Sequence, residues 1–147
     1  METTRKFRYI RHTADIAFIA YGKTFEQALE NAALAMFGIM FDIRKIAASK
    51  KPVKKIVVKD TAGSAEDLVW FTLQDMLTKA QVGNLAPLGF EVEKLESGKT
   101  LSVQGVLEYK DVPAEDYGLL EVKAVTPSGL VVKKSRNGFS IRVVVDI

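Results

Sequence analysis

The residues best suited to chemistry in this chain are oxygen donors. His12 and Asp15 sit close together in a polar break, His12-Thr13-Ala14-Asp15, between two apolar runs. Asp146 is the penultimate residue of an otherwise apolar stretch, Arg142-Val143-Val144-Val145-Asp146-Ile147. If that stretch is a fixed strand, it presents the Asp146 side chain and the carboxylate of Ile147 together. Carboxylates that close repel unless a cation or a basic group lies between them. Oxygen-only donors suit Ca²⁺ or Mg²⁺ better than zinc. A solvated turn at His12–Asp15 and a hydrated strand end at Asp146 would account for the same residues. Lys123, in Glu121-Val122-Lys123-Ala124-Val125, reads as a mid-strand lysine on the face of Glu121 and Val125. It is either solvated or a partner for acidic groups.

Composition removes other chemistries. The chain has 147 residues, no Cys and one His. There is no thiolate nucleophile and no Cys-based zinc or iron–sulfur site, and a zinc site with two imidazoles is excluded. No phosphate-cradling G-x-x-x-x-G-K-[ST] loop, dinucleotide G-x-G-x-x-G turn or G-x-S-x-G elbow is present. Lys+Arg number 21 and Asp+Glu 18, but the charge is uneven. Residues 43–59 contain Arg44, Lys45, Lys50, Lys51, Lys54, Lys55 and Lys59 and no acid, a net of +7, while the rest of the chain is net −4. Such a segment is either a solvated loop and edge strand or a contact for phosphates or an acidic partner. It has no aromatic residue to stack bases.

The elements that must hold these residues follow from periodicity. Alternating aromatic and branched residues make 6–11 and 16–21 strands. Thr24 with Gln27 three residues on is a capping pattern. Phe25, Ala28, Leu29, Ala32, Met36 and Met40 then trace one face of a helix over 25–41. Val53–Lys59 reads as a strand and 60–63 as a turn. A second helix starts at Ser64 and ends near Gly83-Asn84, with Val69, Trp70, Leu73, Met76 and Leu77 on its apolar face. Beyond Pro87 about five strands are expected. Their connecting turns fall at Glu96–Lys99, at Thr126-Pro127-Ser128-Gly129 and at Asn137-Gly138. Clustered rather than alternating elements predict an α+β fold with a largely antiparallel β-sheet flanked by two α-helices. The length and the 48% apolar content suit a single domain spanning 1–147 with a core of its own. No secretory leader follows Met1, and no apolar run is long enough to span a membrane, so a cytoplasmic protein is expected.

The motifs His12-Thr13-Ala14-Asp15-Ile16, Tyr21-Gly22, the helix running to Phe41-Asp42, Val122-Lys123-Ala124-Val125-Thr126 and the closing Val143-Val144-Val145-Asp146-Ile147 together resemble the archease family. The resemblance covers essentially the full length, with residues 43–118 matching mainly in pattern. It implies a non-catalytic accessory factor of the RtcB-type tRNA-splicing RNA ligase, acting in tRNA splicing and processing. Its partner would be that ligase, with tRNA reached indirectly and no small-molecule substrate of its own. The family role is to promote guanylylation of the ligase and its multiple turnover. The resemblance further implies a divalent cation, Ca²⁺ first and Mg²⁺ or Mn²⁺ as substitutes, on Asp15, Asp146 and the Ile147 carboxylate. Lys123 matches a position implicated in activation, His12 would orient Asp15, and Asp42 is a further acidic contributor. The chain departs from the family at Pro127 and Ser128, where members often carry an aromatic residue and a His. The rival readings are a metal-dependent phosphoester hydrolase with His12 as base, and an RNA-binding or chaperone-like adaptor working through residues 43–59.

Overall fold

The computed structural model describes residues 5–147; Met1–Thr4, where the absence of a leader was read, lie outside the described residues. Seven strands, three α-helices and a 3₁₀ turn follow in the order β1 Phe7–Arg11, β2 Asp15–Gly22, α1 Phe25–Met40, α2 Ile43–Ala48, β3 Val53–Ala62, α3 Ala65–Val82, β4 Ala86–Ser97, β5 Leu101–Lys110, the 3₁₀ turn Ala114–Tyr117, β6 Ala124–Ser135 and β7 Gly138–Asp146. All pairings are antiparallel. The α+β class and the antiparallel pairing are as expected.

The strands are shared between two sheets, ordered β1-β2-β7-β6 and β3-β5-β4. The helices do not flank a single sheet. They fill the space between the two: α1 packs on β2 and β7 of one sheet and on β4 of the other, and α3 on β6 of one and on β3 and β5 of the other. One core results, with Phe18, Leu29, Met36, Phe37, Leu73, Met76, Leu107 and Ile141 fully buried. Both long helices start on capping side chains. Thr24 accepts from the Gln27 amide and Ser64 from the Asp67 amide.

Three local readings are corrected. Residues 43–48 form a short helix, α2, where a loop was expected; Asp42 caps it by accepting from the Lys45 amide at 3.2 Å. The turn expected at 126–129 is instead an irregularity within β6, whose register against β7 jumps between Thr126 and Val131. Gly129 takes the turn-type conformation there, φ +79°, without reversing the chain. Residues 119–123 are consequently not a strand of their own, and Lys123 lies just before β6 rather than mid-strand.

Buried charge is rare. Lys110, 6% exposed, donates to the carbonyls of Ala47 at 2.9 Å and Ser49 at 2.8 Å. It thus ties β5 to the C-terminal end of α2, where a cation also meets the helix dipole. No described helix is long and apolar enough to cross a membrane.

Candidate metal centre at one end of the first sheet

Two of the expected ligands become direct neighbours through strand register. Asp15 opens β2 and Asp146 closes β7, and the antiparallel register sets them opposite one another. Directly opposed residues place their Cβ atoms about 4.5–5.5 Å apart on one face of the sheet. Burial alternation identifies the face. Ile16, Phe18, Val143 and Val145 point to the helices, so Asp15 and Asp146 point away from them. The row extends on both sides. His12 lies across the two-residue turn from Asp15, its amide donating to the Asp15 carbonyl at 3.0 Å. Ala124 of β6 pairs with Asp146 on the other side, and the Lys123 amide donates to the Asp146 carbonyl at 2.8 Å. The Ile147 amide reaches the Ala14 carbonyl at 3.4 Å, which carries the end of β7 along the β1–β2 turn.

Asp15 is half-buried, while His12, Lys123 and Asp146 are exposed. Among the described residues no Lys, Arg or His side chain forms an ion pair with either carboxylate, and no hydrogen bond joins the His12 ring to Asp15. The two opposed negative charges are therefore not neutralised from within the described protein. Among the described residues no three His, Cys, Asp or Glu side chains lie close enough to hold an ion. Side chains thus supply two carboxylates, and any third protein oxygen at this rim comes from the main chain or from a neutral side chain.

The helices add to the negative potential here. Gln81, near the end of α3, donates to the Val122 carbonyl at 2.8 Å, whereas Glu66, near its start, accepts from the Val132 amide. α3 therefore runs antiparallel to β6 and ends at this rim. α1 begins over Gly22 and reaches the level of Tyr9, which pairs with Phe18, at Ala35, so it too ends here. Both C-terminal ends carry partial negative charge that favours cations. Trp70 and Gln74 hold Val125 through its carbonyl and its amide, each at 3.0 Å, which anchors the approach to Ala124.

The remaining sequence candidates are more peripheral. Asp42 follows α1 to this end of the molecule but has a structural task as the cap of α2. Arg44, Lys45, Lys50, Lys51, Lys54, Lys55 and Lys59 are all exposed, spread over α2, the following turn and β3, where Lys55 and Lys59 share the outward face and Lys54 lies at the open start of the other. Only Lys54 among them forms an ion pair among the described residues, with Asp111 at 3.2 Å. Pro127 and Ser128 are exposed on the irregular part of β6.

One titratable cluster escaped sequence reading. Asp60 of β3 has a carboxylate oxygen sealed from solvent, and it faces Asp75 of α3, itself paired with Lys79. Burial first, and then the Asp75 carboxylate, push the Asp60 pKa up to about 7; Lys79 partly offsets them. Asp60 therefore holds its proton to higher pH than an ordinary carboxylate. The unfolded chain releases that proton near pH 4, so stability should fall as pH rises from about 4 to about 7 and then level off. Asp60→Asn keeps the donor and removes the titration. It should flatten this slope and raise stability at pH 8 by about 1–2 kcal/mol, allowing for solvent screening. Urea unfolding at pH 5, 6, 7 and 8 measures both effects.

Fold and rim together define a class: a two-sheet α+β protein with an interior helical layer, which uses strand register to gather carboxylates from its second and last strands. Comparison with known proteins makes the assignment specific. Residues 7–147 match the Archease protein family (MTH1598/TM1083). Protein archease of Methanosarcina mazei is 33% identical over 145 residues, 97% of each chain, and that of Methanosarcina barkeri is 35% identical over 146 residues, again 97% of each. The solution structure of Methanobacterium thermoautotrophicum protein 1598 superposes with a TM-score of 0.80 at 26% identity, over 97% of this chain and 99% of that one. A Thermotoga maritima crystal structure described as "an archease, possible chaperone" shares the fold, with a TM-score of 0.52 at 19% identity over the whole of both chains. The chain belongs to the archease family.

Proposed function

We propose that this protein is a non-catalytic activator of an RtcB-type RNA ligase in tRNA splicing, and that the rim formed by Asp15 and Asp146 is the part that acts. The observation that carries the reading is the registered pair of carboxylates without a basic partner, in a chain that belongs to the archease family. The donor set fits a hard divalent cation, Ca²⁺ first and Mg²⁺ or Mn²⁺ as substitutes. Asp15, Asp146 and the main-chain carboxylate of Ile147 would hold it, Lys123 and His12 would border it, and Asp42 would add negative charge nearby. When bound, the ion supplies a positive centre for phosphate or carboxylate oxygens. The protein's own share is to present the ligands on a stiff strand pair at an exposed sheet end, which suits insertion into a partner's cleft. The exposed cations of residues 43–59 start at the same end, on α2, and are suited to an acidic surface of the ligase beside that cleft. On this reading the protein works in the cytoplasm, beside the ligase.

The test is a reconstituted assay with limiting ligase, GTP, divalent metal and RNA ends, with and without this protein. Addition should raise ligase guanylylation and convert a single round of joining into many. An unchanged ligase at saturating protein overturns the reading. Phosphoester turnover by the isolated protein would point instead to a hydrolase.

A further inference from the structure

The opposite end of the first sheet carries a second feature, independent of the carboxylate rim. A cleft of about 700 Å³ opens between the start of β1, the β2–α1 junction and the β6–β7 hairpin. Lys6, Lys23 and Arg5 line one side and the hairpin residues Ser135 and Asn137–Ser140 the other. A second depression of about 530 Å³ continues around the hairpin, past Lys134 and Arg136. The two share Lys23 and the hairpin, so they form one open track with five cationic side chains along it. Among the described residues Lys6, Lys134 and Arg136 form no ion pair with a carboxylate. The carboxylate that does line the track, Glu30, is turned away to accept from the Val92 amide at 2.9 Å.

We propose that this track binds the phosphate backbone of a single-stranded nucleic acid. Several cations at successive positions match a chain of phosphates, whereas one small anion would fill only part of the track. The surface is concave and wraps a hairpin, which suits a strand better than a planar bilayer. Base stacking contributes little. Phe139 is engaged edge-on by Phe25, with ring centroids 6.2 Å apart, and Lys134 lies over its ring. The Tyr21 hydroxyl accepts from Arg8 at 3.1 Å. Recognition is therefore of phosphate rather than of sequence. The hairpin's shape is fixed by Gly138, at φ +128°, where a Cβ would lie 2.3 Å from the Gly22 carbonyl oxygen.

Anisotropy of a fluorescent 12-nucleotide oligouridylate with the full chain, from low to moderate salt, tests this. The wild-type protein should bind with a log–log salt slope of about −2 to −3.5, as about 0.7 per phosphate contact requires. Combining Lys6→Ser, Lys134→Ser and Arg136→Ser should weaken binding at least tenfold and flatten the slope by about 2. Combining Lys50→Ser, Lys51→Ser and Lys55→Ser should leave binding unchanged. An oligothymidylate of the same length should bind comparably. Three results overturn the proposal: no binding at low salt, loss only in the residue 50/51/55 variant, or displacement of the oligomer by micromolar GTP. The last would make the cleft a nucleotide pocket. A circular dichroism melt of each triple variant separates lost binding from lost folding.

Discussion

Asp146→Asn should leave the protein folded and leave the ligase as slow as it is without any activator. Asn preserves the shape of the side chain but removes one of two opposed negative charges. Calorimetric Ca²⁺ affinity should fall at least tenfold, because half of the side-chain carboxylates at the rim are gone. Guanylylation and multiple-turnover joining should fall with it. Asp15→Asn should behave alike. Stability without metal should move the other way, rising by about 0.2–1 kcal/mol, since like charges facing across a ladder destabilise it. This opposite movement separates a ligand pair from two hydrated strand ends, whose replacement would change neither affinity nor activation. Full activation by both variants would refute the assignment. Extending the chain beyond Ile147 by a few residues is the complementary measurement. It displaces the main-chain carboxylate with every side chain intact, and it should weaken Ca²⁺ binding if that carboxylate is a ligand.

Gly22→Ala should cost about 3 kcal/mol or more and lower the melting temperature by about 6–12 °C. The strand β2 ends directly beneath α1. A Cβ on Gly22 would lie 2.3 Å from the Ala28 nitrogen and 2.8 Å from the Gln27 carbonyl carbon. These are main-chain atoms of the helix's first turns, so neither a rotamer change nor a small shift relieves the clash. Helix and sheet would have to separate along their main contact. Gly63→Ala is the matched control, because nothing lies within 4 Å of a Cβ there. It should change stability by no more than about 0.5–1 kcal/mol, in the stabilising direction through the unfolded chain. Thermal melts of the two variants side by side check the contrast.

The two long helices were legible because each offers three or more turns of consistent apolar spacing behind a capping side chain. Thr24 and Ser64 do cap where the pattern puts them. α2 was not legible. It has six residues and lies in a run of cations, and a lone Asp42 cap is no signal without a periodic stripe behind it. The Pro127-Ser128-Gly129 stretch carries the residues of a hairpin turn, yet β7 pairs on both sides of it, so tertiary pairing turns it into a bulge. How the strands divide between two sheets depends on contacts between residues far apart in sequence, which no local pattern encodes. The candidate site shows the same split. Asp15 and Asp146 stand out as acids in apolar strands, but their facing positions come from the β2–β7 register. Asp60 was invisible because it reads as the start of a turn at 60–63, whereas β3 continues to Ala62 and α3 covers it.

The position of β7 has a consequence for biosynthesis. This strand follows all the other strands in sequence, yet it occupies the interior of its sheet, between β2 and β6. Until it inserts, β1–β2 and β6 have no ladder joining them, and Asp15 has no opposite number. A nascent or truncated chain can therefore form α1 on the β1–β2 hairpin and still offer an incomplete rim. Competence at the rim arrives with the zipping of β7, so a chain presents the paired carboxylates only once that strand is in place.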